Sequence, residues 1–236
     1  MMMFGQCLSA VTKCLYGEAE DWTRGWKTDA SDALLRPKTL NLKRQNSTSR
    51  VVLDTASMGG EAVVVKNCTR LCGHGAARAS CPITQDKAYW EVRVLMGGQW
   101  RAGLCGPDTD LNTDPGRDLG SWVLTSGGEV RVRGAQVYST DIMEEGDVIG
   151  FSYDHEELNI FCNGKNLHTP VQGIKGVVYP VFYVDEGAIL ECVFEKFHHP
   201  PPDGFDRIMN ERALEDAGKR FIREINSNNN DHLFEI

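Results

Sequence analysis

Three groups of residues have types and spacings that could do chemistry. The first, Cys68-x3-Cys72-x-His74-x6-Cys81, carries the thiolate and imidazole donors that zinc takes. Its spacing matches none of the paired Cys-x2-Cys arrangements of structural zinc sites, and Cys72 falls in a strand-like run. Buried thiols acting as small hydrophobes are the competing reading, and Cys105, Cys162 and Cys192, at alternating strand positions, read the same way. Zinc binding through Cys68, Cys72, His74 and Cys81 stands as an alternative function. The second group is the segment Gly106–Asp118, with Asp108, Asp110, Asp114 and Asp118 around a single base, Arg117. Asp108-x-Asp110-x-Asn112 is similar to the start of a calcium loop. The glycine and the distant glutamate that complete an EF-hand are missing, which leaves ordinary Asp/Asn/Gly/Pro turn chemistry. The third group is Phe4, Cys7, Leu8, Val11, Cys14 and Leu15, which recur at helical spacing on one face. Cys7 and Cys14 both lie on that face, where S-acylation (palmitoylation) would attach the chain to a membrane surface. Two acyl chains are needed because one binds only marginally.

Catalytic constellations are lacking. Asp154 and His155 are neighbours in sequence and point apart in a strand or turn. There is no nucleophile elbow, no glycine-rich phosphate loop opening a helix and no His-Glu-x2-His. His198-His199, just before a run of prolines, reads as surface packing. The expectation is a protein that is not an enzyme and needs no cofactor.

Composition agrees with a globular fold: hydrophobic residues make up 41% and charged residues 25%. Twenty-five bases against 33 acids leave a net charge of −8, which argues against a nucleic-acid partner. No apolar run approaches the roughly 20 residues of a membrane-spanning helix. Lys13 breaks the N-terminal apolar stretch, so no secretory signal is expected. A cytoplasmic monomer with reduced cysteines follows.

The elements that must position these residues fall into three segments. Residues 1–50 combine the amphipathic start with an acidic block and then a basic block, the pattern of a solvated linker. Residues 51–206 switch to period-2 alternation punctuated by glycine. Trp90, Val92 and Val94 share one strand face, opposite Tyr89, Glu91 and Arg93. Ile149, Phe151 and Tyr153 share another, as do Leu158, Ile160 and Cys162, after which Asn163-Gly164 suits a type I′ hairpin turn. Val178–Val184 and Ala188–Phe194 read as a strand pair around Asp185-Glu186-Gly187. Short strands at this spacing, without helices between them, predict an antiparallel sandwich or barrel. In residues 207–236, Ile208, Leu214, Ala217, Phe221 and Ile225 predict a short C-terminal helix capped by Asp206, followed by an asparagine-rich, flexible tail.

Gly146-Asp-Val-Ile-Gly150, Tyr153-Asp154 and Leu158-Asn-Ile-Phe-Cys-Asn-Gly-Lys165 together resemble the central signature of the SPRY (B30.2-like) domain family. Tyr89-Trp-Glu-Val-Arg-Val94, Trp100-Arg-Ala-Gly103, Ser121-Trp122, Tyr179-Pro180 and Pro201-Pro-Asp-Gly-Phe205 match further family landmarks in order. The resemblance implies a bent antiparallel two-sheet β-sandwich whose edge loops grip a protein or peptide partner. In ryanodine receptors, tripartite-motif ubiquitin ligases and SOCS-box adaptors the domain is a protein-binding module. By loop position the resemblance nominates Arg117 and Asp118 on one pocket wall and Tyr183, Asp185 and Glu186 on the other. A substrate adaptor for a ubiquitin ligase is the narrower alternative, although nothing after Phe205 resembles a SOCS box and no RING-type cysteine pairs precede the domain.

Overall fold

The structure, a computed structural model, describes residues 50–210. All regular structure in that range is strand. The order is β1 (Glu61–Val65), β2 (Arg70–Arg78), β3 (Ala88–Met96) and β4 (Gln99–Cys105), then, past the loop 106–120, β5 (Ser121–Thr125), β6 (Glu129–Val132) and β7 (Ala135–Ser139). β8 (Val148–Tyr153), β9 (Glu157–Cys162), β10 (Lys165–Asn166) and β11 (Val171–Gln172) follow. β12 (Tyr179–Asp185), β13 (Ile189–Val193) and β14 (Asp206–Arg207) complete the set. The predicted acylated start, the linker and the C-terminal helix lie outside the described residues.

The strands form one curled sheet in the order β10-β9-β8-β3-β13-β2-β12-β4-β5-β6-β7. All pairings are antiparallel except that of β14 with β3. β2 belongs to both layers. Arg70 and Leu71 pair with β13, whereas Gly75–Arg78 pair with β12. Between these stretches Gly73 has φ +92°, and a Cβ there would come within 2.5 Å of the Glu61 carbonyl oxygen. Only glycine allows that conformation and approach, so β2 can turn from one layer into the other. The sheet thereby folds over itself as the predicted bent sandwich.

The alternation fills the space between the layers. Trp90, Val92, Val94, Ile149, Phe151, Leu158 and Ile160 project from one side and Trp100, Ala102, Leu104, Leu124, Phe182 and Val184 from the other, all buried. Trp90 stacks on Phe151 at 5.4 Å between ring centroids. Each such large side chain contributes about 1.5–3 kcal/mol on burial. Asn163 and Gly164, at φ 50° and 78°, make the expected turn into β10.

Three expectations change. Val178–Val184 and Ala188–Phe194 are not a hairpin: β12 pairs with β2 and β4, β13 with β2 and β3, and Asp185-Glu186-Gly187 carries the chain between layers. Period-2 alternation marks strands but does not say which layer each one joins. Tyr89 and Glu91, assigned to a polar face, are buried, because the segment after β13 returns over them. Asp206 caps no helix at this point, since it lies in β14 beside Ala88.

Candidate functional site

The outer face of the β2–β12–β4–β5 layer carries a second, smaller cluster of buried side chains. Ala76, Cys105, Val123, Val181 and Tyr183 lie on it, and the 106–120 loop covers them with Leu111. The Leu111 carbonyl accepts the Ala76 N–H at 2.9 Å, which fastens the loop to β2. Two of the four loop aspartates, Asp110 and Asp118, hold the loop itself. Asp110 accepts the Asn112 N–H at 3.0 Å, and Asn112 Oδ1 accepts the Gly60 N–H at 2.9 Å. Asp118 accepts the Ser121 hydroxyl, together with the N–H groups of Gly116 at 3.3 Å and Gly120 at 3.2 Å.

Asp114 faces the layer instead. It pairs with Arg101 of β4 and, at 2.9 Å, with Arg117 Nε. Arg101 also donates to the Pro115 carbonyl at 2.8 Å. Its own guanidinium value is lowered by burial, against the opposing pull of Asp114. Arg117 is 73% exposed and presents its remaining donors to solvent. Beside Arg101 in the ladder register sits Tyr183, which is 5% exposed. Burial first, and then the charge of Asp185, pushes the Tyr183 phenol up to about 12. The phenol lies 3.5 Å from Asp185 Oδ2. Asp185 Oδ1 receives His74 Nδ1 at 3.0 Å and the Glu186 N–H at 2.7 Å. Glu186 extends the row by accepting Gln99 Nε2 at 3.0 Å.

The hydrogen bond to Asp185 raises His74 above the ordinary imidazole value, against the desolvation that lowers it. Burial alone would lift Asp185, but the hydrogen bonds from His74 and the Glu186 N–H bring it below the usual carboxylate value. The result is a continuous polar row: His74, Asp185, Tyr183, Arg101, Asp114, Arg117. Next to it, Gln99, Arg101, Thr125, Ser126, Gly127 and Glu129 line an open pocket of about 260 Å³.

Of the residues nominated from sequence, Arg117, Tyr183, Asp185 and Glu186 come together along this row. Asp118 turns back into its own loop. Arg101, Asp114 and the His74–Asp185 contact were not picked out as site residues. Arg101 alternates outward between the core residues Trp100 and Ala102, a usable signal, whereas the His74 contact depends on the bend in β2. The zinc alternative does not assemble. Among the described residues no three His, Cys, Asp or Glu side chains are placed to share a metal ion. Cys72 is buried with its thiol toward the Val63 carbonyl, and His74 is engaged by Asp185. Burial pushes the Cys81 thiol up to about 11.

The bent sandwich and its loop-covered outer face define a SPRY domain, and the family model described as "SPRY domain" matches residues 87–197. The chain belongs to the SPRY domain family. It is 44% identical to "SPRY domain-containing protein 7" of Homo sapiens and of Mus musculus over 168 residues, 70% of this chain and 86% of each relative. Among solved structures, the PSpry domain of TRIM65 superposes with a TM-score of 0.51 at 15% identity, covering 60% of this chain and 90% of that one. The SPRY domain of human HERC1 gives a TM-score of 0.51 at 16% identity, covering 62% and 99%. At such identities these two establish shared fold alone.

Proposed function

We propose that this chain is a non-catalytic interaction module that binds a protein or peptide partner on the outer face running from His74 to Arg117. The SPRY domain is a protein-interaction fold. The observation that carries the proposal is the polar row itself. Its exposed ends, His74 and Arg117, flank a middle of buried Tyr183 and half-buried Arg101 that is already held by hydrogen bonds and ion pairs. Groups held in place before binding lose little side-chain entropy on contact, the property of strong contact positions, and Tyr and Arg are the types that most often supply them. The Arg117 fork suits a partner carboxylate. Asp185 and Glu186 suit a partner base, and the pocket beside Arg101 has room for one side chain.

The test is affinity capture from lysate with wild type and with a variant carrying Arg117→Ala, Tyr183→Phe and Asp185→Asn, followed by titration of each captured partner into both proteins. The expected outcome is at least a roughly tenfold weaker affinity in the variant at an unchanged unfolding midpoint. Equal affinities would place the binding surface elsewhere.

A further inference from the structure

β7 ends the sheet, and among the described residues no strand pairs with its outer edge. All five of its residues, Ala135-Gln-Val-Tyr-Ser139, are exposed, with Val137 at 46% and Tyr138 at 38%. The strand has no charge, proline or glycine, the residues that usually prevent another chain from adding to an edge. One protective device is present. The ladder with β6 shifts between Val130 and Arg131, leaving Val137 as the extra residue of a bulge without a partner on β6.

The two ends of β7 carry opposite charges. Arg133 lies in the turn before it and Asp141 just beyond it, four residues on either side of Val137. Both are exposed, and neither side chain makes an ion pair among the described residues. Two large apolar side chains are exposed at the same ends. Leu119, 71% exposed, follows the Arg117 and Asp118 carbonyls that lie against Gly134 in the turn, and Ile142, 73% exposed, follows Asp141.

We infer that the β7 edge is a self-recognition surface whose occupant is β7 of a second copy of this chain, antiparallel about a two-fold axis through Val137. In that register Gln136 faces Tyr138 and Ala135 faces Ser139 of the other copy, while Arg133 and Asp141 meet at each end. Leu119 and Ile142 of the two copies come to the same ends. Parallel addition would bring like charges together, so the charge pattern selects the two-fold arrangement. The residues of the partner-binding row are not used. A five-residue edge with a bulge buries less than the roughly 1,200 Å² of the smallest stable interfaces, so the dimer is weak, with a dissociation constant on the order of 10 µM.

Sedimentation equilibrium of the full chain from about 1 to 200 µM, concentrations that bracket such a constant, reads this directly. The mass should rise from 26.2 kDa toward twice that value with concentration. Val137→Lys puts two ammonium groups on the axis and should hold the protein at 26.2 kDa throughout, with an unchanged unfolding midpoint. Arg133→Asp should weaken association by about tenfold, and adding Asp141→Arg should restore it to within about threefold of wild type. A wild type of 26.2 kDa at every concentration would overturn the inference. So would a dimer indifferent to Val137→Lys, or a double charge swap as weak as the single one.

Discussion

His74 and Asp185 join β2 to β12 on the exposed side of the molecule, and their shifts have opposite signs. Because His74 is raised on folding, its contribution is complete below the ordinary imidazole range and fades as pH rises through the raised value. Asp185 is depressed, so its contribution is present above the ordinary carboxylate value and fades only as pH falls through the lowered one. The pair is therefore strongest in the mildly acidic window between them. With side chains 47% and 35% exposed, it is worth less than about 1 kcal/mol to stability. Its effect belongs to the binding row instead. An NMR titration of the His74 ring should show an apparent pKa above 6.5, the ordinary value, and Asp185→Asn should bring it down toward that value. An unchanged His74 titration in that variant would mean the contact is not formed in solution. At this scale Arg117, Tyr183 and Asp185 were nominated by the family resemblance through their positions in the chain, and the fold sets them along one row with Arg101 and Asp114. His74 was read as a metal donor, since nothing local to Cys72 and His74 reveals a carboxylate brought to them from β12.

At the scale of elements, the segment following β13 is fastened down by one buried carboxylate. Glu91, with no exposed surface, accepts the N–H groups of His198 at 2.6 Å and His199 at 2.9 Å, and the Tyr89 hydroxyl at 3.0 Å. Phe197 packs edge-on against Tyr89 at 4.8 Å, and β14 then pairs along β3. Glu91→Ala would leave these three donors without their acceptor and would free the His198 ring, whose Nδ1 lies 3.2 Å from the same carboxylate. We expect a loss of about 2–4 kcal/mol in urea unfolding, with the His198 and His199 amides exchanging much faster. A change under about 0.5 kcal/mol would show that water satisfies these donors. Beneath Tyr89, β8 passes so closely that a Cβ on Gly150 would lie 2.4 Å from the phenol oxygen. Gly150→Ala should therefore cost about 1–3 kcal/mol through displacement of Tyr89, measured in the same unfolding experiment. The alternation of Trp90, Val92 and Val94 made the inner face of β3 legible. The burial of its outer face was not, because the covering segment lies 107 and 108 residues further along the chain. The crossing from β12 to β13 was hidden for a related reason: a turn between two apolar strands looks the same whether it closes a hairpin or joins two layers.

For the whole molecule, a curled sheet bent at Gly73 buries one continuous core and leaves a loop-covered outer face for recognition. The signature residues made that architecture legible as a family resemblance, since their glycines and hairpin turn serve the fold. The partner is not written in them, because loop residues that contact a ligand are free to vary while the layers stay the same. The amphipathic start, outside the described residues, adds a separate expectation. Replacing Cys7 and Cys14 with serine should move the protein from a membrane fraction to the soluble fraction of cells, and each single replacement should give an intermediate distribution. A wild type without thioester-linked lipid would remove the anchor. The central claim, that partners bind the face running from His74 to Arg117, is tested most directly by hydrogen–deuterium exchange of the full chain with and without a captured partner at equal protein concentration. Binding on that face predicts slowed exchange in the 106–120 loop and at residues 183–187, with β8 and β9 unchanged. Protection confined to β8 and β9 or to the segment after β13, with the 106–120 loop unaffected, would contradict it.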